Sequence, residues 1–324
     1  MSFLLITIMQ AHAQVKIIAH RGASSIAPEN TLAAFTKAIE IIADYIEMDI
    51  RMSKDDSIMV IHDEKVNRTS SGSGDVNDMT YEELKKLSVG YASKFGSKFH
   101  NEKIPTLFEV LNLTKDKIKI CIDMKTVSEN AVVNLIKRME MTNQVVLLSY
   151  DSDKLIRVKS LNDKIEVVLL KNNMTNADIF LACEIGASVI GCSYFSPAFY
   201  IDAAHKKDID IWMGIVNDPA KMETLINKNI DGIITDYPQY LKAITEKNIR
   251  IYPNPFRDKV TIEILNPETK QELSIYDLSG RHVTSFSITN TITEWQPGEL
   301  SQGLYIIYLH TREKIIFEKI LKCN

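Results

Sequence analysis

Between Ile17 and Lys247 the sequence alternates eight short apolar runs with segments of helical periodicity, and few folds accommodate that rhythm. The runs are Ile17–His20, Tyr45–Ile50, Ile118–Met124, Val145–Tyr150, Ile165–Leu170, Ser188–Ser193, Ile209–Val216 and Gly232–Asp236. Most are apolar along their length, without a regular polar alternation. Strands of that kind are buried on both faces, as in a parallel sheet covered by helices. The segments between them supply the cover. Leu32, Phe35, Ile39 and Ile42 fall at helical spacing, as do Val132, Leu135, Ile136 and Met139, and Met222, Leu225 and Ile226 mark another helix. Eight such units predict a closed (β/α)8 TIM barrel, with a doubly wound open sheet as the competing arrangement.

The rhythm is broken once. The polar turn Lys54-Asp55-Asp56 follows the second run, and a further strand, Ile58–Ile61, leads to His62-Asp63. A two-residue loop at Asp55-Asp56 would pair Lys54 with Ser57 and set His62 opposite Asp49, with Glu47 on the same face. The hairpin is thus expected to bring a histidine back to the acids. Residues 64–104 then form an insertion: loop at Thr69–Gly74, a short helix over Thr80–Leu87, and the aromatics Tyr91, Phe95 and Phe99. Its position predicts a partial lid over one side of the pocket.

In such a barrel the site is built at the C-terminal ends of the strands. The first strand ends in His20-Arg21, the second carries Glu47 and Asp49, and the third carries Asp123 and Lys125. Three carboxylates inside apolar runs, converging at one barrel end, would repel one another unless one took up a proton or a cation lay between them. An all-oxygen set favours Mg²⁺ or Ca²⁺ over Zn²⁺. Arg21, Lys125 and a cation together suit an anionic group such as phosphate. Two histidines, His20 and His62, would supply a proton donor and a proton acceptor near neutral pH. The residue types point to phosphodiester cleavage by paired acid–base catalysis with one divalent cation.

These residues stand in an ordered series of motifs: His20-Arg21-Gly22, Pro28-Glu29-Asn30-Thr31, Phe35, Glu47-x-Asp49, Lys54-Asp55, His62-Asp63 and Arg68-Thr69. Ile104-Pro105-Thr106-Leu107, Asp123-x-Lys125 and Asp231–Asp236 continue it. Over residues 17–245 the sequence resembles the glycerophosphodiester phosphodiesterases, a branch of the phospholipase C-like barrels. The resemblance implies His20 and His62 as the acid–base pair, Arg21 and Lys125 as phosphate contacts, and Glu47, Asp49 and Asp123 as ligands of a divalent metal. It also implies a small glycerophosphodiester substrate, whose own glycerol hydroxyl attacks phosphorus, and a cyclic phosphate that water opens to glycerol 3-phosphate. Glu29 and Trp212 are further candidates for substrate contact, Glu29 being equally able to cap the helix that starts at Thr31, and Trp212 equally able to be core. The chain departs from the family pattern in three places. Asp123 stands where glutamate is usual, the expected Trp-Thr-Val-Asn motif reads Trp212–Asn217, and Ser88-Val89-Gly90 lacks the usual acid before glycine. Two other readings share the residues: a lysophospholipase D-like enzyme on lysophospholipids, and a non-catalytic surface binding protein.

Beyond Asn248 the pattern changes to period 2. Lys259–Leu265, Glu272–Tyr276, Arg281–Ile288, Leu304–Leu309 and Lys314–Leu321 follow a proline-marked boundary at Ile251–Phe256 and predict a small antiparallel β-sandwich over 249–324. A carbohydrate-binding role for it would require exposed coplanar aromatics, with Trp295 the available tryptophan. Tyr252–Phe256, Ile275–Arg281 and Gly303-Leu304-Tyr305 resemble the sorting domain of the type IX secretion system. That implies a secretion machinery as partner and an exported protein, secreted or at the cell surface, with the periplasm as fallback. Residues 1–14 agree: an apolar Phe3–Met9 and Ala11-His12-Ala13 read as the remnant of a cleaved signal peptide, leaving the barrel at 15–248. A net charge of −4 gives no electrostatic reason to expect nucleic acid, and no apolar run reaches the roughly 18 residues of a transmembrane segment. The four cysteines show no metal-ligand spacing, and Cys121, Cys183 and Cys192 read as buried hydrophobes, with a Cys183–Cys192 disulfide as an option.

Overall fold

A computed structural model describes residues 15–193, 198–246, 249–264, 271–288, 292–298, 300–310 and 315–323, so the expected signal remnant at 1–14 lies outside the described residues. They fall into two compact units that divide between Ile244 and Thr245.

The first unit is the closed barrel. Its strands are β1 (Lys16–Ala19), β2 (Tyr45–Met52), β4 (Lys119–Thr126), β5 (Val145–Ser149), β6 (Glu166–Lys171), β7 (Val189–Cys192), β8 (Asp210–Gly214) and β9 (Gly232–Thr235), and β3 (Ile58–Val60) is the extra strand. The eight run parallel, and β1 pairs with both β2 and β9, which closes the sheet. Helices cover the outside. The first, α1 (Leu32–Glu40), starts where the Thr31 hydroxyl accepts from the Ala34 N–H, and buries Ala34, Phe35 and Ala38. The core between sheet and helices is aliphatic, from Ile17 and Ile46 through Val133 and Ile136 to Ile233.

A second, smaller core fills the barrel interior. Ile18, Tyr45, Cys121, Val146, Val168, Val189 and Trp212 form its floor, with Leu148, Leu170 and Ile234 in the same cluster. Because side chains alternate along a strand, each inward residue is followed two positions later by the next inward residue. One step up from the floor stand His20, Glu47, Asp123, Leu148, Leu170, Gly191, Gly214 and Ile234. The sheet's period of two thus sets the altitude of each functional group.

The β2–β3 hairpin differs from expectation by one residue. Ile50 pairs with Val60 and Met52 with Ile58, and the Ser53 N–H donates to the Ser57 carbonyl across a three-residue loop, Lys54–Asp56. Asp56 takes the left-handed conformation (φ 60°) that such a loop requires at its last position. Asp49 therefore stands opposite Ile61, whose N–H it receives, and not opposite His62. The slip does not remove His62 from the site: β3 ends at Val60, Arg51 Nε holds the His62 carbonyl at 2.7 Å, and the imidazole still lines the pocket.

The insertion carries its own small core of Val66, Val76, Leu84, Val89 and Ile104 beneath Met59 and Ile61. Its short helices are α2 (Tyr81–Lys86), opened by a capping box between Thr80 and Glu83, and α3 (Ala92–Phe95). Tyr91, Phe95 and Phe99 stack edge to face on one another, with centroids 6.4 and 5.5 Å apart.

The second unit packs a three-stranded sheet, β10 (Ile249–Tyr252), β11 (Val260–Ile264) and β14 (Ile292–Trp295), against a four-stranded one. The latter orders β13 (His282–Ile288), β12 (Gln271–Asp277), β15 (Gly303–His310) and β16 (Ile315–Lys322). Both sheets contribute to one core, Val260, Ile262 and Ile264 from the first and Leu273, Ile275, Ile307 and Leu309 from the second. Trp295 is buried in that core, 6.0 Å from the Phe256 ring, so it is not the exposed platform a carbohydrate site would need. Cys121 and Cys192 are buried, and Cys183 is exposed on the helix Asn176–Ile185 with a free thiol. The expected burial of Cys183 and the optional disulfide are therefore both absent from this fold.

The barrel floor depends on a residue without a side chain. A Cβ at Gly232 would stand 2.6 Å from the Trp212 ring and 2.8 Å from Ile18. Gly232→Ala is expected to destabilise the barrel by about 1–3 kcal/mol through overpacking, read as a lower urea midpoint with an unchanged m value.

Candidate active site

At the C-terminal end of the barrel a pocket of about 410 Å³ is lined by His20, Arg21, Glu47, Asp49, His62, Asp123 and Lys125 on one side. Leu148, Tyr150, Leu170, Ile215 and Ile234 line the other. Seven of the nine sequence candidates therefore meet in one cavity, and the two exceptions are Trp212 and Glu29. Trp212 is 1 % exposed and lies in the barrel floor with its ring 5.0 Å from Tyr45. It sits one alternation step below Gly214, which reaches the pocket in its place. Trp212 is core, and its assignment to substrate is withdrawn. Glu29 is spent on two arginines: it accepts from Arg21 Nη1 at 2.7 Å and from both Arg68 Nη atoms at 2.7 Å. A carboxylate so held orients guanidinium groups instead of binding phosphate.

The acids come together through register. Glu47 and Asp49 share the inward face of β2, and Asp49 pairs directly with Asp123 of β4. The three offer carboxylate oxygens within 4.8 Å of one another, and all three are buried. Burial, reinforced by the charge of Asp49, pushes Glu47 up to about 7. Burial also raises Asp123, which Lys125 only partly offsets. It acts on Asp49 in the same sense, but Arg21 and Lys125 outweigh it and hold that carboxyl below its ordinary value. Lys125 Nζ bridges the pair, on Asp123 Oδ2 and 3.2 Å from Asp49 Oδ1. Asn30, at φ 56°, donates from Nδ2 to Asp49 at 3.0 Å and fixes its rotamer. The donor set is all oxygen, compact and bears excess negative charge, which fits a hard divalent cation.

The motif His20-Arg21-Gly22 turns sharply over this cluster. Arg21 adopts φ 54° and donates its backbone N–H to Glu47 Oε2 at 2.9 Å, while its Nε lies 3.2 Å from Asp49 Oδ2. Gly22 follows at φ 82°, where a Cβ would stand 2.7 Å from the Ala34 backbone. Only glycine allows the turn to pack on α1.

Each histidine has its own carboxylate. His20 Nδ1 is 2.7 Å from Asp236 Oδ1, and Asp236 also accepts from Ser24 Oγ at 2.8 Å and from Asn217 Nδ2 at 2.6 Å. Burial alone would raise Asp236, but the hydrogen bond from His20 holds it well below the carboxylate range. Burial alone would lower His20. The bond to Asp236 and the charge of Glu47, whose Oε2 lies 4.0 Å from Nε2, raise its pKa instead. His62 Nδ1 is 2.7 Å from Asp63 Oδ1, and Asp63 is gripped by Arg68 through Nε at 2.7 Å and Nη2 at 3.0 Å. That grip holds Asp63 well below the carboxylate range. An ionised carboxylate only accepts, so in both pairs Nδ1 carries the proton and Nε2 is the working nitrogen.

Asp236, Arg68 and Asn30 carry no site role in the sequence reading, and Asp63 reads there as a supporting or turn-forming residue and not as a ligand. Asp236 was findable: it stands two positions beyond Ile234 on the strand that closes onto β1, one alternation step above the core. The insertion contributes no side chain to the lining of the 410 Å³ pocket, contrary to the expected lid, and Thr69 and Val89 border only a small crevice beside Glu29 and His62.

Residues 20–240 match the glycerophosphoryl diester phosphodiesterase family, and residues 250–323 match the secretion system C-terminal sorting domain. A glycerophosphodiester phosphodiesterase of Caldanaerobacter subterraneus is 37% identical over 240 residues, 71% of this chain and 98% of the relative. Another, of Bacillus subtilis, is 29% identical over 253 residues, covering 71% and 86%. A solved glycerophosphodiester phosphodiesterase of Agrobacterium tumefaciens superposes with a TM-score of 0.63 at 27% identity, over 71% of this chain and 99% of that one. A phosphodiesterase of Oleispira antarctica in complex with the product sn-glycerol-3-phosphate shares the fold, with a TM-score of 0.67 at 24% identity over 70% and 95%.

Glu47 must be ionised to ligate a cation, and its pKa near 7 sets the pH at which that begins to cost affinity. Divalent cation affinity is therefore expected to fall by about tenfold per pH unit below that value. Titration calorimetry in buffers of different ionisation enthalpy should show about one proton released per cation at pH 6, and much less at pH 8.5.

Proposed function

The chain belongs to the glycerophosphoryl diester phosphodiesterase family, and from that premise we propose that it hydrolyses glycerophosphodiesters to glycerol 3-phosphate and an alcohol. The observation that carries this reading is the pair of imidazoles, each with Nδ1 fixed on a carboxylate, facing one pocket that also holds the three acids.

Arg21 and Lys125 line the side of the pocket where a phosphate would bind, and their charge favours an anionic diester. His62 accepts the proton of the substrate's own glycerol hydroxyl at Nε2 as that oxygen attacks phosphorus. His20, its pKa raised by the bond to Asp236 and the charge of Glu47, gives its Nε2 proton to the departing alcohol oxygen. The product of this step is a five-membered cyclic phosphate. Water then opens it with the roles reversed: His20 takes a proton from water, and His62 returns one to the glycerol oxygen. Glu47, Asp49 and Asp123 would hold one divalent cation, Mg²⁺ or Ca²⁺, and that ion would supply Lewis-acid stabilisation of charge on the phosphoryl oxygens. The carboxyls of Asp236 and Asp63 hold the rings and stay ionised throughout.

The opposite wall, Leu148, Leu170 and Ile234 with Tyr150 and Ile215 at the rim, is apolar and faces where a glycerol chain or leaving alcohol would lie. It also gives the lysophospholipid reading its support, since the half-exposed Ile215 and Tyr150 could extend an apolar path outward. The match of residues 250–323 to a sorting domain supports export through a type IX machinery to the surface or medium, with residues 15–248 as the enzyme. No helix among the described residues is long and apolar enough to cross a membrane.

Turnover of glycerophosphocholine, glycerophosphoethanolamine and a lysophospholipid, each with and without chelator, tests the reading. Release of glycerol 3-phosphate from the first two, abolished by chelator, is expected, and lysophospholipid should turn over more slowly. His20→Ala and His62→Ala should each lower kcat/KM by about 10²–10⁴-fold. Release of lysophosphatidic acid in preference would favour the second reading, and binding without turnover would favour a non-catalytic protein.

A further inference from the structure

Arg68 takes no part in the steps above, yet it touches both halves of the site. It lies five residues past Asp63, where the insertion begins. One edge of its guanidinium forks onto Asp63, Nε to Oδ2 at 2.7 Å and Nη2 to Oδ1 at 3.0 Å. The other edge forks onto Glu29, Nη1 to Oε2 and Nη2 to Oε1, both at 2.7 Å. Asp63 in turn holds His62 Nδ1 at 2.7 Å, and Glu29 holds Arg21 Nη1 at 2.7 Å. A single planar group therefore joins the carrier of the histidine to the carrier of the phosphate-side arginine. Tyr91 flanks it from the insertion, with its ring centroid 5.9 Å from the guanidinium carbon.

The two histidine carboxylates are supported differently. Asp236 is fixed by the neutral donors Ser24 and Asn217, which come from the barrel itself. Asp63 follows a strand that ends at Val60, in backbone not held by the sheet ladder, and Arg68 is the cation that fixes it. Without that fork, rotation of Asp63 would release Nδ1 and the His62 tautomer with it.

We propose that Arg68 is a positioning residue for this reaction: by gripping Asp63 and Glu29 together, it sets the His62 ring and the Arg21 guanidinium in one fixed relation. The inference rests on the proposed reaction and names the part of the insertion that reaction requires. It also explains how the insertion serves the site without lining the pocket. A lysine could restore the charge at 68 but not the two forks, because an ammonium is a point donor.

The test compares wild type, Arg68→Ala and Arg68→Lys on glycerophosphocholine with saturating Mg²⁺ or Ca²⁺. Both variants should keep a cooperative thermal transition and lose about 10–100-fold in kcat, the range typical for residues that orient a working group from behind. Arg68→Lys should recover little. Because the Arg68 side chain is 39 % exposed, guanidinium ion at millimolar concentration should partly restore kcat in Arg68→Ala, and ammonium at equal ionic strength should not. Independently of turnover, nitrogen NMR of ¹⁵N-histidine-labelled protein, with His62 assigned through His62→Gln, should show the Nδ1-protonated tautomer in wild type and a mixture in Arg68→Ala. Full activity in Arg68→Lys, or an unchanged His62 tautomer in Arg68→Ala, would overturn the proposal. If wild type turned over no glycerophosphodiester, the reaction reading would fail and the tautomer measurement would still decide the role of Arg68.

Discussion

Three carboxylates held by sheet register where they must repel one another are the constraint around which the rest of the barrel's upper end is arranged. Glu47 and Asp49 are two residues apart on one face of β2, and Asp123 is the ladder partner of Asp49. Neither distance can relax without breaking parallel pairing, so the repulsion is answered by neighbours. Lys125 bridges two of the acids, the Arg21 side chain lies against Asp49, the Arg21 backbone N–H meets Glu47, and Asn30 fixes Asp49 from the side. The left-handed turn at Arg21-Gly22 exists to make that backbone contact possible. Uneven support leaves Glu47 pushed up to about 7, and Glu47 is also the acid that lies 4.0 Å from His20. An acid cluster that could hold a cation and an imidazole with a raised pKa are thus consequences of the same crowding.

Much of this was legible in the sequence because the informative signals were local. Apolar runs located all eight barrel strands to within a residue or two, and carboxylates inside those runs stood out against the burial they implied. The misses share one cause, a dependence on geometry that period alone does not carry. The β2–β3 register turned on whether Asp56 would adopt positive φ, which lengthens the loop by one residue and shifts every pair. The motif around Trp212 left it equally able to be core or substrate wall, and only the tier of each inward residue separates floor from pocket. Asp236 was passed over because its partner, His20, is distant in sequence and adjacent only once β1 closes onto β9. In the second unit, β10 was read as a boundary because Pro253 follows it directly, and β14 is too short to display a pattern.

The two units illustrate two ways of using a sheet. In the barrel, the inward face changes from apolar to ionic within two residues, so stability and chemistry share the same strands. In the sandwich, inward residues such as Ile262, Ile275 and Leu309 are apolar, Gln271 is a buried polar exception on β12, and even Trp295 is consumed by the core. This is the unit whose residues 250–323 match the secretion system C-terminal sorting domain.

The buried rings of Tyr45 and Trp212, tilted at 58° with centroids 5.0 Å apart, floor the barrel interior beneath the pocket. With the floor filled, substrate and products would both pass the open strand ends. In the proposed reaction the departing alcohol would then stand in the path of the incoming water. An alcohol that lingers there would be well placed to be rejoined to the ring it had just left, so the residence time of the first product, and not only the rate of bond making, would govern how often a cycle runs to completion.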